Sequence, residues 1–191
     1  MEPKKGIQQQ NFINKKSNKL NIDYKIIKKL GAGAFSEVFL VQNRVTGVFD
    51  VAKIIETASL SGFEGEDIMN EIKTLAEMDH PNIMKIKGYY MTANHLYIIS
   101  EYLSGGELFD RIIEAKNFSE AKAANVIEQV LSAVSYLHKH SIIHRDLKLE
   151  NIMRVNNESL TIKIVDFGIA GLFAGRKSEV TRAGSLYYMA P

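Results

Sequence analysis

The chain opens on a polar stretch: Met1 to Asp23 is rich in Lys, Gln and Asn and carries few large apolar side chains. Such a segment buries too little surface to offset the entropy of ordering it, so residues 1–23 are expected to form a disordered leader. From Tyr24 to Ile55 short apolar runs rich in Val, Ile and Phe are punctuated by Gly31, Gly33 and Gly47, which predicts antiparallel strands joined by turns. Between Gly65 and Met78 the residues Ile68, Ile72 and Leu75 recur at helical spacing, and Asp79-His80-Pro81-Asn82 stops that helix. Ile83 to Ile86 and Leu96 to Tyr102 read as further strands, after which Ser104-Gly105-Gly106 breaks the pattern.

Beyond that break the period changes. Leu108, Ile112 and Ile113 suit a short helix, and Ile127, Val130, Leu131, Val134 and Leu137 suit a long one capped by Ser119. Strand-like pieces follow at Ile142-Ile143, Ile152-Met153 and Leu160 to Val165, then a polar, Gly-containing segment from Gly168 to Gly184. The expectation is a strand-rich N-lobe with one helix over residues 24–102 and a mainly helical C-lobe over 103–191, with a cleft at the linker where ligands tend to bind.

Composition excludes more than it assigns. Across 191 residues, 24 Lys and Arg face 22 Asp and Glu, and a net charge of +2 argues for neither a nucleic acid nor a membrane partner. The absence of cysteine removes disulfide scaffolds, thiolate metal sites and cysteine nucleophiles. No apolar run approaches the roughly 18 residues of a membrane span, and no secretory signal is visible, so a cytoplasmic or nuclear location is expected by default.

Four constellations carry chemistry. Gly31-Ala32-Gly33-Ala34-Phe35-Ser36-Glu37-Val38 lies between two strand signals; it suits either a tight hairpin or a backbone cradle for phosphate, which glycine lets approach closely. Lys53 is the one cation of the strand Phe49 to Ile55, and is either a surface lysine or a buried one that needs an anion such as Glu71 or a phosphate. His144-Arg145-Asp146-Leu147-Lys148-Leu149-Glu150-Asn151 packs five ionisable groups and an amide into eight positions, for which a soluble core has no use. Val165-Asp166-Phe167-Gly168 sets an acid at the end of an apolar strand, before a glycine that can bend. His140 and His144 stand four apart, but no Glu follows His140 and Ser-Ile-Ile is a poor helix between them, so a metal pair is not expected.

In this order the four motifs resemble the eukaryotic protein kinases, from about Tyr24 to the last residue. The resemblance implies an α+β, two-lobed protein-kinase-like fold, with ATP and Mg2+ as cofactors. It implies that Leu30, Gly31, Ala32, Gly33, Ala34, Phe35, Ser36, Glu37 and Val38 cover the phosphates, that Lys53 holds the alpha and beta phosphates, and that Glu71 holds Lys53. Asn151 and Asp166 would bind metal, Asp146 would orient the substrate hydroxyl and accept its proton, and Lys148 would steady the transferred phosphoryl charge. Main-chain groups of Glu101 and Leu103 would bond adenine, Glu107 the ribose, and Val38, Val51 and Met153 would sandwich the ring. Ser100 takes the gatekeeper position, implying sensitivity to bulky purine-like inhibitors, and Leu75, Ile86, His144 and Phe167 would stack as an internal spine.

Lys148 and Gly184 to Pro191 are similar to serine/threonine kinases, whose partner is a protein substrate bearing Ser or Thr. Gly105 to Asp110 and Tyr136-Leu137-His138 look most like the calcium/calmodulin-dependent and calcium-dependent groups. Thr181, with Ser178 second, would take a phosphate from an upstream kinase and pair with Arg145. Ser36, Val51 and Leu149 depart from the usual glycine, alanine and proline. The sequence stops at Pro191, short of the Glu of A-P-E, so an incomplete C-lobe is expected, with weak stability and activity for these residues alone. The alternative function is a non-catalytic nucleotide-binding or interaction fragment.

Overall fold

Residues 19–33, 36–60, 72–114 and 118–166 are described by the computed structural model, and they divide into two compact units. The first contains residues up to 60 together with Ile86–Tyr102; the second contains 72–85 and the chain from Leu103. The division between Tyr102 and Leu103 falls at the expected linker, whereas residues 72–85, expected in the first lobe, group with the second unit.

The first unit is a five-stranded antiparallel sheet, ordered β1-β2-β3-β5-β4. Its strands are β1 (Tyr24–Ala32), β2 (Ser36–Asn43), β3 (Phe49–Glu56), β4 (Ile86–Met91) and β5 (His95–Glu101). Asn43 makes the β2–β3 turn: its Oδ1 accepts from the amides of Val45 and Thr46, and Gly47 supplies the positive φ of 72° the turn requires. Because strand side chains alternate, the register puts Val41, Ala52, Ile99 and Tyr90 in one buried cluster, which Leu20 and Tyr24 join.

Leu20 comes from α1 (Lys19–Asp23), where a disordered leader was expected to run to residue 23. One buried leucine and two tethers explain the order: Tyr90 Oη donates to Asp23 Oδ2 at 3.0 Å, and Arg44 Nε donates to the carbonyl of Asn21 at 3.1 Å. The strand expected at Ile83 to Ile86 lies further on, at Ile86–Met91, where Tyr89 and Tyr90 favour extended structure. Ile83 instead makes a single parallel bridge to Ile164.

The second unit holds α2 (described over residues 72–77), α3 (Leu108–Glu114), α4 (Glu120–Lys139) and a two-stranded ribbon of β6 (Ile152–Arg154) and β7 (Ile162–Ile164). Ser119 caps α4 as expected, its hydroxyl accepting from Lys122 N. The buried face is Val126, Val130, Ala133 and Leu137, while Ile127 and Leu131 are 55% and 62% exposed. The apolar stripe is wide enough for two faces, and the side on which β7 and the 79–82 loop approach decides between them. No strand forms at Ile142-Ile143, because Ile142 N bonds back to Leu137 O at the helix end and Ser141 turns with φ 59°.

The 79–82 loop is pinned to α4 by side chains. His80 Nδ1 accepts from Asn82 N, its Nε2 lies 3.1 Å from Ser132 Oγ, and Tyr136 Oη accepts from Asp79 N. Asn82 Nδ2 donates to Gln129 Oε1 at 2.8 Å and to Ile162 O at 2.9 Å, and the same Gln129 oxygen accepts from Ile162 N. Three distant segments thus share one buried polar junction.

Candidate active site

In the first unit, the antiparallel register puts four predicted residues on one face of the sheet. Val38 pairs with Lys53, and Val51 lies between Leu40 and Ser100, so Val38, Val51, Lys53 and Ser100 project to the same side. Ser100 is buried, and Glu101, opposite Asp50, falls on the other face. The glycine-rich segment closes as a hairpin: Gly31 pairs with Val38, Ala32 with Glu37, and Gly33 N donates to Ser36 O at 2.8 Å. Leu30 is exposed near that end, and Ala34, Phe35 and Glu71 lie outside the described residues.

In the second unit the chain from His144 to Asp166 folds onto itself. His144 is 5% exposed; its Nε2 donates to Val165 O at 3.0 Å, so its Nδ1 is the acceptor for Asp146 N at 3.2 Å. Burial lowers the His144 pKa against the raising effect of the Val165 carbonyl and of Asp146 and Asp166, which suits the neutral ring this bonding needs. Asn151, at the end of the short helix Leu149–Asn151, donates through Nδ2 to Asp146 O at 2.7 Å and to Asp146 Oδ2 at 3.0 Å. Its own carbonyl accepts from Val165 N at 2.9 Å, which ties the residue preceding Asp166 to Asn151.

Lys148 Nζ reaches the same Asp146 Oδ2 at 2.9 Å. That hydrogen bond, opposed by burial and reinforced by the charges of Asp146, Glu150 and Asp166, raises the Lys148 pKa. Arg145 and Asp166 both adopt left-handed φ, 66° and 58°, conformations that cost L-residues about 1 kcal/mol or more. The arrangement is an oriented carboxylate, gripped at one oxygen by an amide and an ammonium, with the charge of Asp166 acting on the same lysine. It suits accepting a proton from a hydroxyl and steadying negative charge.

Glu107 and Met153 meet in an antiparallel bridge, and Leu103 is buried nearby in the chain. Burial raises the Glu107 pKa, with Asp110 and Glu150 adding to the effect. The spine candidates divide: Leu75 and His144 are buried in the second unit, Ile86 is buried in the first, and Phe167 lies outside the described residues. Ser178, Thr181 and the stretch Gly184 to Pro191 also lie outside them. Neither Arg154 nor the Asn82–Gln129 pair stood out in the sequence; a lone Arg inside the apolar run Ile152 to Val155 was the available signal for the first.

A family model for the protein kinase domain matches residues 24–191. The chain is 40% identical over 183 residues to calcium-dependent protein kinase 4 of Plasmodium berghei (strain Anka), covering 94% of this chain and 35% of that protein. It is 40% identical over 181 residues to calcium/calmodulin-dependent protein kinase type 1B of Rattus norvegicus, covering 94% and 52%. It is 38% identical over 169 residues to myosin light chain kinase A of Dictyostelium discoideum, covering 88% and 57%. The chain therefore spans between about a third and three-fifths of these relatives. A crystal structure of Rad53 1-466 in complex with AMP-PNP superposes with a TM-score of 0.70 at 33% identity, covering 80% of this chain and 40% of that one. The hydrogen-bonded set from His144 to Val165, and a match running from the first strand to the last residue, lead to one assignment: the chain belongs to the protein kinase domain family.

Proposed function

We propose that the chain is the catalytic part of an ATP- and Mg2+-dependent protein serine/threonine kinase, transferring the terminal phosphoryl group of ATP to Ser or Thr hydroxyls of protein substrates. The observation that carries the proposal is the grip on Asp146: Asn151 and Lys148 both bond its Oδ2, and His144 holds its amide. A carboxylate so fixed can orient a hydroxyl and take its proton, while Lys148 stands ready for charge that develops on the transferred group. A lysine in this place supports a serine or threonine substrate, as do the calcium-dependent and calmodulin-dependent relatives.

The donor set fits magnesium. Among the described residues no three His, Cys, Asp or Glu cluster as a protein-only cage. Asn151 and Asp166 offer one amide and one carboxylate, the sparse oxygen set expected where phosphate oxygens and water complete the shell. When bound, the ion would neutralise charge on the phosphates. Lys53, on the face shared with Val38, Val51 and Ser100, is assigned to the alpha and beta phosphates with Glu71 as its partner, Leu30 to Val38 to the phosphate cover, and Glu101 and Leu103 to adenine. Thr181 is assigned to an activating phosphate facing Arg145. No described helix is long and apolar enough to cross a membrane, and a cytoplasmic or nuclear location completes the proposal.

The test is transfer of labelled phosphate from ATP to a Ser/Thr peptide, alongside nucleotide binding. Asp146→Asn is expected to lower kcat by about 100-fold or more with ATP affinity retained. Normal transfer by that variant would refute the assignment, and nucleotide binding without any transfer by the unaltered chain would favour the non-catalytic alternative.

A further inference from the structure

We infer that Arg154 is a positioning residue for nucleotide binding: its buried guanidinium seats the Ser104–Gly106 turn on β6 and so fixes Glu107, the residue assigned to the ribose. This rests on the proposed kinase function and deepens it.

Successive residues of the ribbon hold successive residues of the turn. Val155 O accepts from Ser104 N at 3.2 Å, Arg154 N donates to Gly106 O at 2.9 Å, and Met153 bridges Glu107. Arg154 adds a side-chain tie, Nη2 donating to Gly105 O at 2.6 Å and to Asn157 Oδ1 at 3.1 Å. The seat is close: a Cβ on Gly105 would lie 2.5 Å from Asn156 O and 2.7 Å from both Arg154 Cβ and Arg154 O. Gly106 then turns with φ 70° to deliver Glu107.

Arg154 is a poor choice for stability alone. It is 8% exposed, and among the described residues its Nε is the one buried side-chain polar atom without a hydrogen-bond partner. An apolar side chain of similar length would carry no such desolvation cost. What the guanidinium adds is one planar Nη2 amino group whose two hydrogens reach two acceptors, which an apolar side chain cannot do. Glu107 needs that fixing, because its side chain is exposed and the carboxylates of Asp110 and Glu150 repel it.

Calorimetric titration of adenosine and of adenine into the chain separates this role from general destabilisation, with melting curves showing each variant folded. The unaltered chain is expected to prefer adenosine. Arg154→Met should weaken adenosine by about tenfold, the worth of one charge-assisted hydrogen bond, and leave adenine within about twofold. In the transfer assay the KM for ATP should rise in step with kcat nearly unchanged, and Arg154→Met should add nothing in a Glu107→Gln background. Gly105→Ala, which keeps the arginine but crowds the turn off its seat, should reproduce the adenosine defect, and it decides the matter if Arg154→Met does not melt cooperatively. Equal losses for adenosine and adenine, or effects additive with Glu107→Gln, would overturn the inference alone. An unaltered chain that binds neither compound would sink the kinase proposal and this inference with it.

Discussion

His144 holds two partners with opposite demands, giving a proton to Val165 O through Nε2 and receiving one from Asp146 N at Nδ1. A second proton on the ring would turn Nδ1 into a donor facing a donor, so ring charge and the placement of Asp146 are coupled. The folded pKa is lowered, chiefly by burial, from the ordinary 6.5. The unfolded state therefore binds the proton first as pH falls, and the stabilisation is full above pH 6.5 and lost below it as pH drops through the folded value. His80, lowered by burial and by Lys163, acts in the same direction. Urea unfolding from pH 8 to 5 should thus show a fall at the acid end that is shallower in His144→Phe, and the variant should cost roughly 1–3 kcal/mol at neutral pH by stranding Val165 O and Asp146 N. A slope identical to that of the unaltered chain would remove the coupling. The residues of this site were legible in the sequence as a motif, but the left-handed φ of Arg145 and Asp166 was not, and neither was the tautomer, which is set by the distant carbonyl of Val165.

Among the elements, α1 shows how little apolar surface orders a polar segment. Five residues cannot hold a helix alone, because nucleation outweighs the few bonds gained. Leu20 docks in the cluster with Tyr24, Val41, Ala52, Tyr90 and Ile99, while Tyr90 bonds Asp23 and Arg44 bonds Asn21. Removing either support should release the element locally without unfolding the sheet. Leu20→Ala is expected to cost about 1–2 kcal/mol, capped by the free energy of detaching α1, and Tyr90→Phe about 1 kcal/mol or less. Limited proteolysis should cut both variants faster near residues 19–23; unchanged cleavage would mean that α1 is held some other way. Composition alone hid this element, because one leucine among Lys and Asn reads as noise until its pocket exists. The orientation of α4 was hidden for a related reason: Ile127 and Leu131 belong to a stripe as apolar as Val126 and Val130, and only the approach of β7 chooses between them.

At the scale of the whole molecule, strand-rich and helical halves followed from the change of hydrophobic period, and the break at Tyr102 and Leu103 from Ser104-Gly105-Gly106. The grouping of residues 72–85 with the second unit did not, because it depends on side chains from three segments meeting at Asn82. Asn82→Ala should leave Gln129 and Ile162 with unmet bonds and lower stability by about 1–3 kcal/mol, seen as an earlier denaturant midpoint with an unchanged slope. A midpoint within error of the original would make the junction ornamental. Synthesis on the ribosome is directional, and the carbonyl that completes this junction belongs to Ile162, translated 80 residues after Asn82. Until α4 and then Ile162 have emerged, the 79–82 loop lacks these partners, which leaves it open to chaperones and proteases on nascent chains.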